Sequence, residues 1–171
     1  MRRDWNPKRK KMIRIPTGQL GEDGFTVEGE EPADWLDLDR DPVARPDGPV
    51  RYELTATPAG PELVVTGWVE APLKLLCGRC AQFFSTTVRV SAFLHSYEWN
   101  EHPDFLDVSG DVREDILLEI PGYPLCKADC KGLCPRCGRN LNQGACGCPP
   151  PEAGPSAWSA LDALDVPGRD K

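Results

Sequence analysis

Eight cysteines fall into four close pairs, Cys77 and Cys80, Cys126 and Cys130, Cys134 and Cys137, Cys146 and Cys148. Thiolates two to four residues apart can bind one metal ion from a single turn, at about 2.3 Å for Zn(II), and two such pairs complete a tetrahedral shell. Eight ligands therefore predict two four-cysteine zinc sites. A shell closed by four sulfurs leaves no position for substrate or water, so the expected role is structural. All-cysteine knuckles also favour zinc over iron. A disulfide framework is the first rival, because an even cysteine count suits a small secreted protein. Residues 1–16 start basic, as a signal peptide does, but no apolar stretch of about 7 residues or small-residue cleavage site follows, so we expect a reducing, cytoplasmic setting. Redox chemistry at Cys77-Gly-Arg-Cys80 is the second rival and needs a helix start. Residues 81–90 are instead rich in β-branched and aromatic types, which places this pair in a turn between strands.

Tight knuckles need glycine after the second cysteine, where positive φ lets backbone N–H groups point at sulfur. Gly138 stands there in Cys134-Pro-Arg-Cys137-Gly138, and Gly147 is expected to do similar work inside Cys146-Gly-Cys148. We therefore group Cys134, Cys137, Cys146 and Cys148 on one ion. By elimination Cys77, Cys80, Cys126 and Cys130 hold the other, a cross-link over some 45 residues of chain. A local tetrad of Cys126, Cys130, Cys134 and Cys137, with the first pair free, stays open on spacing alone.

The elements that must position these ligands read as an antiparallel sheet. Residues 50–57 alternate, 58–61 turn, and 62–70 return; Ala71-Pro72 is expected to turn again. Residues 73–76 lead into the first cysteine pair, which caps a hairpin whose second strand, 83–94, continues toward Trp99 after a bend. A helix comes next, with Asp111 as expected N-cap, Glu114 three residues on, and Val112, Ile116, Leu117 and Ile120 at helical spacing, stopped by Pro121-Gly122. The class is α+β: an antiparallel meander, one main helix and a C-terminal cysteine-rich module.

The chain has 171 residues, 40% of them hydrophobic, enough for one modest core with tails. Eighteen prolines and sixteen glycines imply short elements and long connections. Metal would then reinforce a thin core, and its removal should loosen at least the C-terminal third. No apolar run approaches the length of a membrane span. We expect a basic arm at 1–12, a core domain at 13–121, a zinc module at 122–148, and at 149–171 a proline-rich linker with a short amphipathic helix.

Charge is unevenly distributed. Residues 1–14 carry seven basic side chains against Asp4, a net of +6, which leaves −13 for the rest of a chain whose total is −7. Lys8, Arg9, Lys10 and Lys11 in this arm are candidate phosphate contacts, and Trp5 could stack on a base; a solvated tail is the competing reading. Residues 22–41 reverse the sign, with nine acidic side chains against Arg40, and interleaved Phe25, Val27, Trp35, Leu36 and Leu38 suggest an ordered, meandering connection.

The order of these pieces resembles the YceD-like proteins, a bacterial family associated with accumulation of large-subunit ribosomal RNA. The resemblance rests on Ile13-Arg-Ile-Pro-Thr-Gly-Gln-Leu20, Asp47-Gly-Pro-Val50, Cys77-Gly-Arg-Cys80-Ala-Gln-Phe83 and Glu114-Asp-Ile-Leu-Leu-Glu-Ile-Pro121. Most specific is Lys131-Gly-Leu-Cys-Pro-Arg-Cys-Gly138, with Leu141-Asn142 and the closing Cys146-Gly-Cys148 after it. It implies a cytoplasmic ribosome-biogenesis factor whose partners are large-subunit ribosomal RNA or its assembly proteins, with no membrane or small-molecule substrate. It also implies that the first cysteine pair is shared with residues near Cys126 and Cys130, since some family members keep only that pair and carry His or Cys near those two positions. The end departs from the family. Where a lysine-rich helix is usual, the helix expected at residues 156–164 is acidic, with Trp158, Leu161 and Leu164 spaced to leave an apolar stripe.

Residues 126–148 look basic, with Lys127, Lys131, Arg136 and Arg139 against Asp129, a formal +3. Two tetrathiolate zinc centres at −2 each bring the account to about −1. Arg136 and Arg139 then remain as candidate RNA contacts, and docking on a ribosomal or assembly protein fits the net charge equally well. A zinc-stabilised interaction module for a non-ribosomal partner, in transcription or lipid metabolism, is the alternative function. Catalysis is not expected. His95, Glu98, Glu101 and His102 lack helical metal-ligand spacing, and no nucleophile elbow or phosphate-binding glycine loop occurs.

Overall fold

The computed structural model of the protein describes residues 12–21, 23–99 and 104–149. Its centre is a long hairpin of β5 (Glu62–Leu76) and β6 (Phe83–Glu98), paired antiparallel along nearly their whole length. On the other edge of β5 lie two strands end to end, β4 (Val50–Ala59) against its first half and β3 (Ala44–Pro46) against its second. β2 (Phe25–Glu31) adds an outer strand on β4. A separate two-stranded pairing joins β1 (Arg14–Pro16) to β7 (Phe105–Asp107), and α1 (Ser109–Glu119) comes directly after it. The architecture is α+β, an antiparallel sheet with one main helix and the cysteine clusters beyond it.

One face of the sheet is covered. Leu54, Leu63, Val65, Val69, Leu73 and Leu75 are buried there with Val112 and Ile116 of α1 and Leu36 from the 3-10 turn Ala33–Leu36. Each fully buried aliphatic side chain of this kind contributes about 1.5–3 kcal/mol. The buried set on β6 changes parity, from Val88 and Val90 to Phe93, because the register shifts opposite Gly67 and Val69. A bulge of this kind re-aims every later side chain, so His95 and Tyr97 turn toward α1. There the His95 Nε2 meets Asp115 Oδ2 at 3.1 Å, and the Tyr97 hydroxyl donates to Asp111 at 2.6 Å. Burial first, then the Asp111 contact, hold Tyr97 protonated far above the usual tyrosine range. Gly67 cannot carry a side chain, since a Cβ would come within 2.0 Å of the Glu53 carbonyl oxygen. Among the described residues no helix is long and apolar enough to cross a membrane.

Three expectations need correction. Ala71-Pro72 does not turn; β5 runs straight through. The Pro72 carbonyl accepts from the Asp47 N–H at 2.9 Å, so its nitrogen faces the gap between β3 and β4, where no ladder donor is missed. Asp111 is not the N-cap. Val108 occupies that position without a side-chain cap, Asp107 accepts from the Ser109 N–H at 3.1 Å, and Asp111 serves the sheet through Tyr97 instead. The acidic segment 22–41 is more regular than a meander, for Phe25–Glu31 alternates well enough to pair with β4, and Trp35, Leu36 and Leu38 are buried and anchor the stretch beyond that strand.

Candidate metal centres

The turn between β5 and β6 carries Cys77 and Cys80, and the loop after α1 returns Cys126 and Cys130 to it. The sulfurs of Cys77 and Cys130 lie 3.8 Å apart, and so do those of Cys80 and Cys126. A tetrahedron with metal–sulfur bonds of about 2.3 Å has edges of about 3.8 Å, so this cluster fits a four-coordinate ion. Cys134, Cys137, Cys146 and Cys148 form the second cluster. In each, all four sulfurs lie within 4.8 Å of one another, and all eight cysteines are free thiols. Two four-cysteine groups that could hold metal are therefore present, divided as Cys77, Cys80, Cys126, Cys130 and Cys134, Cys137, Cys146, Cys148.

The two knuckles share one backbone design. Ala81 donates its N–H to the Cys77 carbonyl at 3.0 Å, and Gly138 donates to Cys134 at 2.9 Å. Cys77 in turn donates to the Gln82 carbonyl at 2.9 Å, and Cys134 to Arg139 at 2.8 Å. Both turns require positive φ at the residue after the second cysteine, 71° at Gly138 but 52° at Ala81, where a side chain must tolerate it. Gly147 does not adopt positive φ; the chain bends toward the closing pair at Gly144, with φ 138°.

Backbone N–H groups aimed at sulfur tune the thiols. At Cys77 burial opposes ionisation most, yet hydrogen bonds from the backbone of Cys126, Cys80 and Arg79 bring it down to about 6. The backbone of Cys137 and Arg136 does the same for Cys134, also to about 6. Their partners compensate, since the first ionised sulfur in each cluster repels a second. Burial and the neighbouring thiols push Cys126 up to about 12, and the Cys137 thiol with burial pushes Cys148 up to about 12. A cation would relieve this repulsion, since it binds all four sulfurs as thiolates.

Two residues that spacing could not single out complete the site. Arg79, between the chelating cysteines of the first knuckle, donates from Nη1 to the carbonyls of Ala128 and Cys130, both at 3.1 Å. Asn142 donates to the Cys130 sulfur at 3.3 Å. Of the candidate RNA contacts, Arg136 is exposed, and Arg139 is exposed with its Nη1 reaching the Ala145 carbonyl at 3.4 Å. Lys8, Arg9, Lys10 and Lys11 lie outside the described residues, as do His102, Glu101 and the stripe of Trp158, Leu161 and Leu164.

Residues 97–165, which hold the whole cysteine-rich loop, match the family described as large ribosomal RNA subunit accumulation protein YceD. These residues are YceD-like. Relatives of the chain include an uncharacterised protein of Mycobacterium tuberculosis, 34% identical over a 90-residue alignment that covers 44% of this chain and 44% of the relative. The match thus spans less than half the length of that relative. Two plant proteins named large ribosomal RNA subunit accumulation protein YCED homolog 1, chloroplastic, are also similar: one from Arabidopsis thaliana, 42% identical over 43 residues (25% of this chain, 13% of the relative), and one from Zea mays, 38% identical over 60 residues (31% and 20%). No solved structure matches.

Proposed function

We propose that this chain is a non-catalytic factor of ribosome biogenesis, acting in the cytoplasm to support accumulation or processing of large-subunit ribosomal RNA, with two structural zinc ions. The observation that carries this reading is the family match, which runs across the second half of the first metal centre and all of the second. The names of the plant relatives support it. Zinc is supported by the donor chemistry, four thiolates with tetrahedral spacing, which oxygen-seeking cations do not use. Two features support the absence of catalysis. Each tetrad is a closed donor set, and His95 is engaged by Asp115 of α1. A groove of about 430 Å³ opens beside the first centre, but the one charged wall residue among the described residues, Asp41, accepts hydrogen bonds from the backbone of Val43 and Ala44.

Depletion of the protein in its host, with quantification of large- against small-subunit ribosomal RNA, tests the reading. The large-subunit species should fall relative to the small. An unchanged ratio would transfer the zinc module to a non-ribosomal partner. Crosslinking of the Arg136→Glu, Arg139→Glu variant in cells then separates direct RNA contact, which that double change should abolish, from docking through protein.

A further inference from the structure

The loop that closes the second centre also reaches into the first. Asn142 lies in the short turn Leu141–Gln143, between the second knuckle and Cys146. Its Nδ2 donates to the Cys130 sulfur at 3.3 Å, and its Oδ1 accepts from the Lys131 N–H at 3.0 Å. Asn140 Oδ1 fixes the side chain further, accepting from both the backbone N–H and the Nδ2 of Asn142 at 2.9 Å. The amide orientation is set by these partners, because the reverse would place an oxygen against the sulfur and an NH₂ group against the Lys131 N–H. The backbone continues the same seam. Leu141 donates to the Gly132 carbonyl at 2.9 Å, and Leu133 to that of Arg79 at 3.1 Å.

We propose that Asn142 couples the two centres, so that metal held by Cys134, Cys137, Cys146 and Cys148 strengthens metal binding by Cys77, Cys80, Cys126 and Cys130. The proposal rests on the reading of both tetrads as metal centres. Four thiolates around a divalent ion leave a net charge of −2, and an amide N–H donated to a charged sulfur is among the stronger hydrogen bonds. The second ion ties the loop that carries this donor at both ends, through Cys137 and Cys146, and adds to the hydrogen bonds that hold it in place. Loss of that ion loosens the loop and the amide's hold on Cys130. The coupling is reciprocal, so loss of the first ion weakens the second by the same factor. Asn142 is thus a positioning residue for the first centre, supplied by the second.

The test uses the full metal-loaded chain, its Asn142→Ala and Cys146→Ser/Cys148→Ser variants, and the triple variant. Native mass spectrometry first counts the ions. Fewer than two in the unaltered chain would sink the two-centre reading itself, whatever the coupling. Chelator competition then measures the affinity of the first centre. Asn142→Ala should weaken it about tenfold, the size expected for one hydrogen bond to a charged group. Cys146→Ser/Cys148→Ser should weaken it to a similar degree, and adding Asn142→Ala to that variant should cost less than about twofold more. With cadmium in place of zinc, the four-sulfur resonance retained by Cys146→Ser/Cys148→Ser identifies the first centre, and Asn142→Ala should displace it. Asn142→Asp keeps the size and the acceptor for Lys131 but removes the donor, so it should weaken the first centre at least as much. Unchanged affinity in either Asn142 variant, or full multiplication of the two effects in the triple variant, would overturn the coupling.

Discussion

The two knuckles, Cys77–Ala81 and Cys134–Gly138, are the same turn in different surroundings. Hydrogen bonds that close each turn agree to within 0.1 Å, yet Cys77 and Cys80 are 1% and 2% exposed while Cys137 is open to solvent. The first cluster joins residues 46 and 53 positions apart across the end of a sheet; the second is contained in residues 134–148. Chelate geometry is therefore a local property of the pair, whereas what the ion holds together depends on where the partner pair comes from. Closing a long loop removes more chain entropy than closing a short one, so the first ion orders more of the molecule.

The largest effect is expected from removing the first centre. Cys130→Ser should lower the metal count and leave residues 122–149 open to protease, with the sheet intact. Structural zinc contributes roughly 10 kcal/mol of apparent binding energy. A module that stays protected after this change would break the contrast between the centres. Cys137→Ser comes next. It should remove the second ion and shift the thermal midpoint of the sheet by only a few degrees, since a change of about 1 kcal/mol moves a domain of this size by that much. A collapse of the sheet transition would show that both centres bear on the core.

Acid should separate the centres by a smaller margin. The lowered thiols, Cys77 and Cys134 at about 6, contribute stability that is present above the ordinary thiol value of about 8.5 and lost as pH falls toward 6. Metal retention should have the same sign, falling with acidification, and the exposed second centre should empty at the higher pH. A titration monitored by native mass spectrometry would show an intermediate carrying one ion. Emptying in a single step at one pH would argue that the centres act as one unit.

The smallest effect is a swap at the position that differs between the knuckles. Gly138→Ala should cost about 1 kcal/mol, because positive φ strains a side chain. Ala81→Gly should change stability by less, since relief of that strain is offset by greater freedom in the unfolded chain. Denaturant midpoints of the metal-loaded protein would measure both. Equal and opposite shifts would mean that the two turns carry the same strain whatever surrounds them.

Much of this was legible because it is local. Alternation at 50–57 and 62–70 marks the strands of β4 and β5, and the apolar spacing of Val112 and Ile116 marks α1. Misreadings arose where a distant group changed the meaning of a local signal. Pro72 looks like a breaker until β3 and β4 leave a gap opposite its nitrogen. Asp111 looks like a cap until the bulge at Gly67 and Val69 turns Tyr97 toward it. The acidic residues of 25–31 look like a connection until β4 supplies the ladder they pair with.

The sequence by itself determined the chelating pairs, the glycine turn after Cys137 and the α+β class, since ligand spacing, glycine conformation and side-chain alternation act over a few residues. Only the tertiary structure decided between the long-range and the local sharing of the cysteine pairs, that Ala81 would bear a positive φ, and that Asn142 would meet Cys130. Those outcomes depend on which loops the β5–β6 hairpin brings within hydrogen-bond and ligand distance. No spacing along the chain encodes that proximity, because packing against one face of the sheet sets it.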